Sequence, residues 1–98
     1  QIPDLARANA NGNAVVGRSR YDQVCAGCHG VDAVSGTAVP DLRYAPSLID
    51  AAAFKAVVLD GTRQDKGMVG FSAVLNAEET EAIRAYLVSR AAAAKAAP

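Results

Sequence analysis

Polar and apolar positions along the chain alternate between helical stretches and glycine- or proline-marked loops. From Ala14 the pattern is helical, with Val16, Arg20, Gln23 and Val24 bracketing Gly17 and Tyr21, which lie four apart and so share a face. A glycine inside a helix costs stability unless something packs closely against it. The pattern ends around Gly27 and Gly30. Residues 31–47 carry Gly36, Pro40 and Pro46 among mixed polar residues and read as loop. Ser47 followed by Asp50 reads as a variant capping box opening a helix through Ala51–Leu59, which Asp60-Gly61 stops. Residues 61–75 hold Gly67, Gly70 and few periodic apolar positions, so they also read as loop. A last helix begins with Asn76 as N-cap and Glu79 at its third position, a capping box, followed by Ile83, Tyr86 and Leu87 at i, i+3, i+4. The alternatives of prolonged helix and frayed end both stay open for the Ala-rich 91–98 tail. Asn9, Asn11, Gly12 and Asn13 favour turns, so residues 1–13 read as a linker or flexible tether.

Composition narrows the class. A chain of 98 residues is one domain by length, and alone it buries only about two thirds of its unfolded surface. It has no Trp, two Phe and three Tyr, a thin core for that size. Ten basic and ten acidic residues cancel, with no block of either sign. That argues against nucleic acid, which calls for a basic stripe, and against strong steering of a partner by charge. No apolar run approaches the ~20 residues of a membrane span. Gln1-Ile2-Pro3-Asp4 is not a charged start followed by an apolar core, so the chain reads as mature or as a fragment.

The chemistry is concentrated in Cys25-Ala26-Gly27-Cys28-His29. CxxCH is the attachment signature of a c-type haem. Two thiols three positions apart can add to the vinyl groups on one side of a porphyrin, and the next residue then offers an imidazole to the iron. The competing readings explain less. A thioredoxin-like redox pair lacks its strand-rich surroundings, and half a zinc site lacks its other ligands, since no further Cys or His exists. A disulfide leaves His29 and Gly30 unexplained. One covalent haem c is therefore expected, and an apolar macrocycle would also repair the thin core. Attachment of this kind happens on the oxidising side of bacterial membranes, so the periplasm is the expected compartment.

With His29 the sole histidine, bis-histidine ligation within one chain is impossible. Met68, the sole methionine, sits in the loop Lys66-Gly67-Met68-Val69-Gly70 between two predicted helices. A lone Met is ordinarily a core filler; beside a covalent haem it becomes the leading second axial ligand. Lys66 competes but must first lose a proton, and an open sixth position is the remaining alternative.

The order CxxCH, Pro-bearing loop, helix, Met loop, final helix with an aromatic resembles the class I cytochrome c family over roughly residues 14–90. The resemblance implies an all-α fold of three to four helices and loops wrapped around one haem. It implies that the first and last helices cross at Gly17, and that the Pro40 carbonyl accepts the His29 Nδ1 proton. By their place after the Pro40 loop, Arg43 and Tyr44 become candidates for bonds to the haem propionates, against a plainer role as exposed arginine and packed loop tyrosine. Pro40-Asp41-Leu42-Arg43-Tyr44 and the run from Phe54-Lys55 through Gly67-Met68 look like the C-terminal cytochrome domain of quinohaemoprotein alcohol dehydrogenases, where a linker joins it to a pyrroloquinoline-quinone (PQQ) propeller. Those domains often have Met-Pro, whereas Val69 follows Met68 here, which implies a less rigid loop.

The function implied is outer-sphere electron transfer by a monomeric, non-catalytic module. Its electrons would come from a fused PQQ domain or a redox partner protein and go on to a respiratory acceptor. A free-standing soluble cytochrome is the alternative. A ligand-binding or peroxidase-like haem protein would need the open sixth site.

Overall fold

The computed structural model describes residues 4–34 and 41–96, and among these there are helices, 3-10 turns and loops but no strand. Helix α1 spans Ala14–Val24, α2 Ala26–His29, α3 Ala51–Val58 and α4 Ala77–Ala96. The expected all-α architecture holds, with 3-10 turns filling much of what reads as loop.

Each long helix starts where the sequence supplies an oxygen for its first amides. The Asn13 side chain accepts from Val15 N (3.0 Å) and Val16 N (3.3 Å). At α4 the capping box is reciprocal: Glu79 N donates to Asn76 Oδ1 (2.7 Å) and Asn76 N to Glu79 Oε1 (3.1 Å). The start of α3 differs from expectation. Asp50 itself is the N-cap, accepting from Ala53 N at 3.1 Å, and Ser47 lies in a preceding 3-10 turn, Pro46–Ile49. A proline at the head of that turn suits it to a 3-10 start, which leaves the capping oxygen to Asp50.

The core forms where α1 and α3 pack against α4. Gly17 is buried against α4, and a Cβ there would overlap the Ala82 carbonyl. The crossing implied at that glycine is therefore present, and it lets the helix backbones touch. One turn on, the Tyr21 and Tyr86 rings meet at 5.4 Å between centroids, tilted by 48°, a geometry worth ~0.5–1.5 kcal/mol beyond the area buried. Phe54, Val58, Leu48, Ile83 and Leu87 complete the core. The last helix does not stop at residue 90: it runs through Ala96, and Ala91 is fully buried. Burial on α4 is broader than one stripe, taking in every residue from Ala82 to Leu87, because α1, α3 and the N-terminal segment surround it.

That N-terminal segment, read as a tether, is tied down over its described residues. Asp4 caps a 3-10 turn at Leu5–Arg7, Ala8 is buried, and Arg84 Nη1 donates to the Ala8 carbonyl at 2.6 Å. No helix among the described residues is long and apolar enough to cross a membrane.

Candidate functional site

Cys25 sits at the junction of α1 and α2, its amide donating to Tyr21 O at 2.8 Å. Its carbonyl then accepts from Cys28 N (3.1 Å) and His29 N (2.9 Å), closing the single turn of α2. The pentapeptide is thus a helical turn that follows directly on α1. Tyr21 locks its end: the phenol donates to the Gly30 carbonyl at 2.7 Å. Burial pushes the Tyr21 hydroxyl well above its ordinary range, with Cys25 adding to the effect, so it remains a donor at physiological pH. Cys25 and His29 are buried, Cys28 is exposed, and the two thiols are not joined to each other. Burial, then the neighbouring Cys28, pushes the Cys25 thiol up to about 11, so it is protonated and protected in the folded chain.

His29 opens onto a cleft of about 600 Å³ whose lining includes Leu42, Tyr44, Ala45, Pro46, Val57 and Met68. The volume lies within the ~300–1,000 Å³ usual for sites of organic ligands and cofactors. Its donor set is a buried imidazole, a thioether and, one and four residues before the imidazole, two free thiols. Apolar walls with N and S donors suit a covalently attached iron porphyrin. They do not suit a zinc site, since among the described residues no three His, Cys, Asp or Glu side chains cluster.

Met68 is delivered by a loop closed at its base. Phe71 N donates to Val58 O at 2.7 Å, and Met68 N donates to Arg63 O at 3.2 Å. Between these, Gly61 and Gly70 lie backbone to backbone: a Cβ on Gly70 would come within 2.7 Å of Leu59 O and 3.0 Å of Gly61 N. This closure does the stiffening that a proline after Met68 would otherwise give.

The sequence-derived candidates divide. His29 and Met68 line one cleft, Cys25 and Cys28 belong to the same helical turn as His29, and Tyr44 also lines the cleft, 42% exposed. Arg43 does not. Its guanidinium forks onto Asp41, Nε to Oδ1 at 3.0 Å and Nη2 to Oδ2 at 2.6 Å, while its carbon Cζ lies 5.6 Å from the Tyr44 ring centroid. The Asp41 contact raises the Arg43 pKa further. Pro40 lies outside the described residues. The cations that do line the cleft are Arg63 and Lys66. Lys66 draws attention in the sequence only as a rival ligand, and Arg63 draws none, because no spacing rule links a loop cation to a cleft wall. Asp41, also in the lining, is a similar omission; its place just before Leu42-Arg43 marks it for an Asx-turn.

Residues 12–87 match the sequence profile of the family described as cytochrome C oxidase, cbb3-type, subunit III. Among curated proteins, the chain is similar to the quinohemoprotein alcohol dehydrogenase ADH IIB of Pseudomonas putida. The two are 39% identical over 74 residues, 76% of this chain and 11% of that protein. It is similar also to cytochrome c550 of Pseudomonas aeruginosa, 38% identical over 81 residues, 76% of this chain and 53% of that one. Among solved structures, quinohemoprotein alcohol dehydrogenase ADHIIG from Pseudomonas putida HK5 superposes with a TM-score of 0.72 at 32% identity, over 94% of this chain and 12% of that one. The chain thus spans about a tenth of the length of the dehydrogenases it matches.

Proposed function

The chain belongs to the cytochrome c family typified by subunit III of the cbb3-type oxidases, and from that premise we propose that it is a periplasmic electron-transfer domain of a PQQ-dependent dehydrogenase. It carries a covalently bound haem c, as this family does. In our reading Cys25 and Cys28 would hold the haem through thioethers, and His29 and Met68 would ligate its iron. Bound in this way, haem supplies a one-electron ferric/ferrous couple.

The chain's own residues set how that couple behaves. The Tyr21 bond to Gly30 O and the α2 turn hold His29 in a buried, fixed position. The loop closed by Gly61, Gly70 and the Phe71–Val58 bond brings Met68 to the cleft. A thioether is a soft ligand that favours ferrous iron and raises the potential. Leu42, Ala45 and Val57 exclude water from the cleft wall, which penalises the additional positive charge of the oxidised state. With His29 and Met68 both ligating, the iron would offer no open position to a substrate, and the domain would act as an outer-sphere electron carrier.

The observation that carries the reading is the convergence of His29 and Met68 on one cleft, with both cysteines in the helical turn that holds His29. The dehydrogenase context is supported by relatives in which the match covers a small part of a much longer protein. A free-standing cytochrome is the second reading, favoured by the similarity to cytochrome c550, of which the match covers 53%. Substitution Met68→Ala tests the ligand set. The expected variant keeps haem by mass, loses the weak far-red ferric band of Met–iron bonding, has a lower midpoint potential and binds small exogenous ligands. An unchanged low-spin spectrum and potential would assign the sixth position to another group and return Met68 to the role of core filler.

A further inference from the structure

Haem carries its two propionates on the edge opposite its vinyls, so a macrocycle fixed at Cys25 and Cys28 turns those carboxylates away from that end. The cation best placed by sequence, Arg43, is engaged elsewhere. Its Nε and Nη2 are held by the Asp41 carboxylate at 3.0 and 2.6 Å, its own amide also donates to Asp41 Oδ1 at 3.1 Å, and it does not line the cleft. Arg63 presents the reverse case. It lines this cleft and also a second one of about 690 Å³, which shares Pro46, Ser47 and Val57 with the first. It therefore stands, solvent-exposed, on the partition between the two clefts. No described residue forms a hydrogen bond or ion pair with its guanidinium, whereas its carbonyl accepts the Met68 amide at 3.2 Å. A planar fork with all its donors available, beside a site that must receive carboxylates, is the arrangement that bidentate carboxylate recognition uses.

We infer that Arg63 is the propionate-binding cation of this domain, and that Arg43 instead neutralises Asp41, keeping a bare carboxylate out of the cleft. The inference rests on the haem attachment proposed above. Arg63 offsets propionate charge near the iron, so its loss stabilises the ferric state and lowers the midpoint potential.

The test uses the haem-loaded full chain, with redox titration and resonance Raman detection of the propionate bending modes. In Arg63→Gln the ratio of reduced to oxidised protein at a fixed poise falls several-fold and the propionate modes shift. Arg63→Lys recovers most of the potential but not the modes, because an ammonium restores the charge and not the fork. The paired variant Asp41→Asn with Arg43→Gln removes one charge of each sign and leaves the propionate modes as in the parent. Covalent haem mass and the far-red band, recorded on every variant, read the attachment and Met68 ligation separately. Arg63→Gln with parental modes and potential in a protein that keeps both signatures overturns the Arg63 assignment alone. A shift of the propionate modes in the paired variant overturns it too, by returning the role to Arg43.

Discussion

Arg84 is a cation with only 2% of its surface exposed, and each hydrogen bond its guanidinium makes goes to an oxygen. It donates to the carbonyls of Ala8 (2.6 Å), Leu48 (2.7 Å) and Asn9 (3.3 Å), and its Nε and Nη2 grip Glu81 at 2.6 and 2.8 Å. A buried charge survives only when paired and fully bonded, and here one side chain ties the N-terminal segment and the turn before α3 to α4. The Arg84 hydrogen bond holds the Glu81 carboxyl below the ordinary glutamate range, against the opposing effect of burial. A carboxylate whose pKa is lower folded than unfolded binds more protons in the unfolded state. Its stabilisation is full above the unfolded value of about 4.3 and fades as pH falls through the folded one. Glu81→Gln is therefore expected to be less stable than the parent near pH 6, with the gap closing progressively below pH ~4.5 in urea titrations of the haem-loaded protein. A gap that is constant with pH would show that the pair contributes geometry and not linkage. In the sequence, Glu81 and Arg84 are one unremarkable i, i+3 pair among twenty charges that sum to zero, and helix periodicity assigns Arg84 no buried role. The sequence singles out two Cys, one His and one Met because their chemistry is scarce in this chain, and the structure places His29 and Met68 on one cleft with both cysteines in the His29 turn. The Arg43 fork folds back two residues onto Asp41, a local pairing that a family-level placement does not anticipate.

Helix-scale features were more legible, because caps and glycines have single physical explanations. Asn13 and Asn76 could be read as caps directly, and Gly17 as a point of close approach. The 3-10 turns at Leu42–Tyr44 and Pro46–Ile49 could not, since their short length gives no period to detect. Gly17 also yields a quantitative expectation. Alanine in place of a mid-helix glycine gains about 1 kcal/mol in propensity. Its Cβ, however, would overlap the Ala82 carbonyl and lie 3.0 Å from the Ile83 nitrogen. Those atoms are backbone inside α4 and cannot swing aside, so the cost sits at or above the ~3 kcal/mol usual for overpacking. Gly17→Ala should thus be destabilised by roughly 2 kcal/mol or more in denaturant melts. A neutral or stabilising outcome would mean that the two helices can part at no cost, and that the crossing does not set the geometry of the Cys25 turn that follows α1.

At the scale of the whole molecule, the radius of gyration, 12.2 Å, is already close to the ~13 Å expected of a 100-residue domain. The cleft is therefore a space left within a tightly drawn fold. Around it stand the apolar faces of Leu42, Ala45, Val57 and Met68, in a chain with only two Phe and three Tyr, of which Tyr21, Phe54 and Tyr86 are buried. A domain of this size has little surplus burial to offset the ordering of its backbone, so a macrocycle seated in the cleft of about 600 Å³ would add packing contacts along each wall it borders. Covalent haem held as proposed would fill that volume and, through His29 and Met68, would bridge the α2 turn to the loop before α4. Folding and haem retention should then be one event, as they are for structural metal sites. The doubly substituted chain Cys25→Ser, Cys28→Ser, purified free of haem, is expected to show less than half the helical circular-dichroism signal of the loaded protein and a broad thermal transition without a cooperative midpoint. Retention of native helicity with a sharp melt near that of the loaded protein would overturn the argument. The α1–α4 crossing and the Arg84 cluster would then suffice to hold the fold, and the cleft would be a preformed pocket instead of an unfinished core.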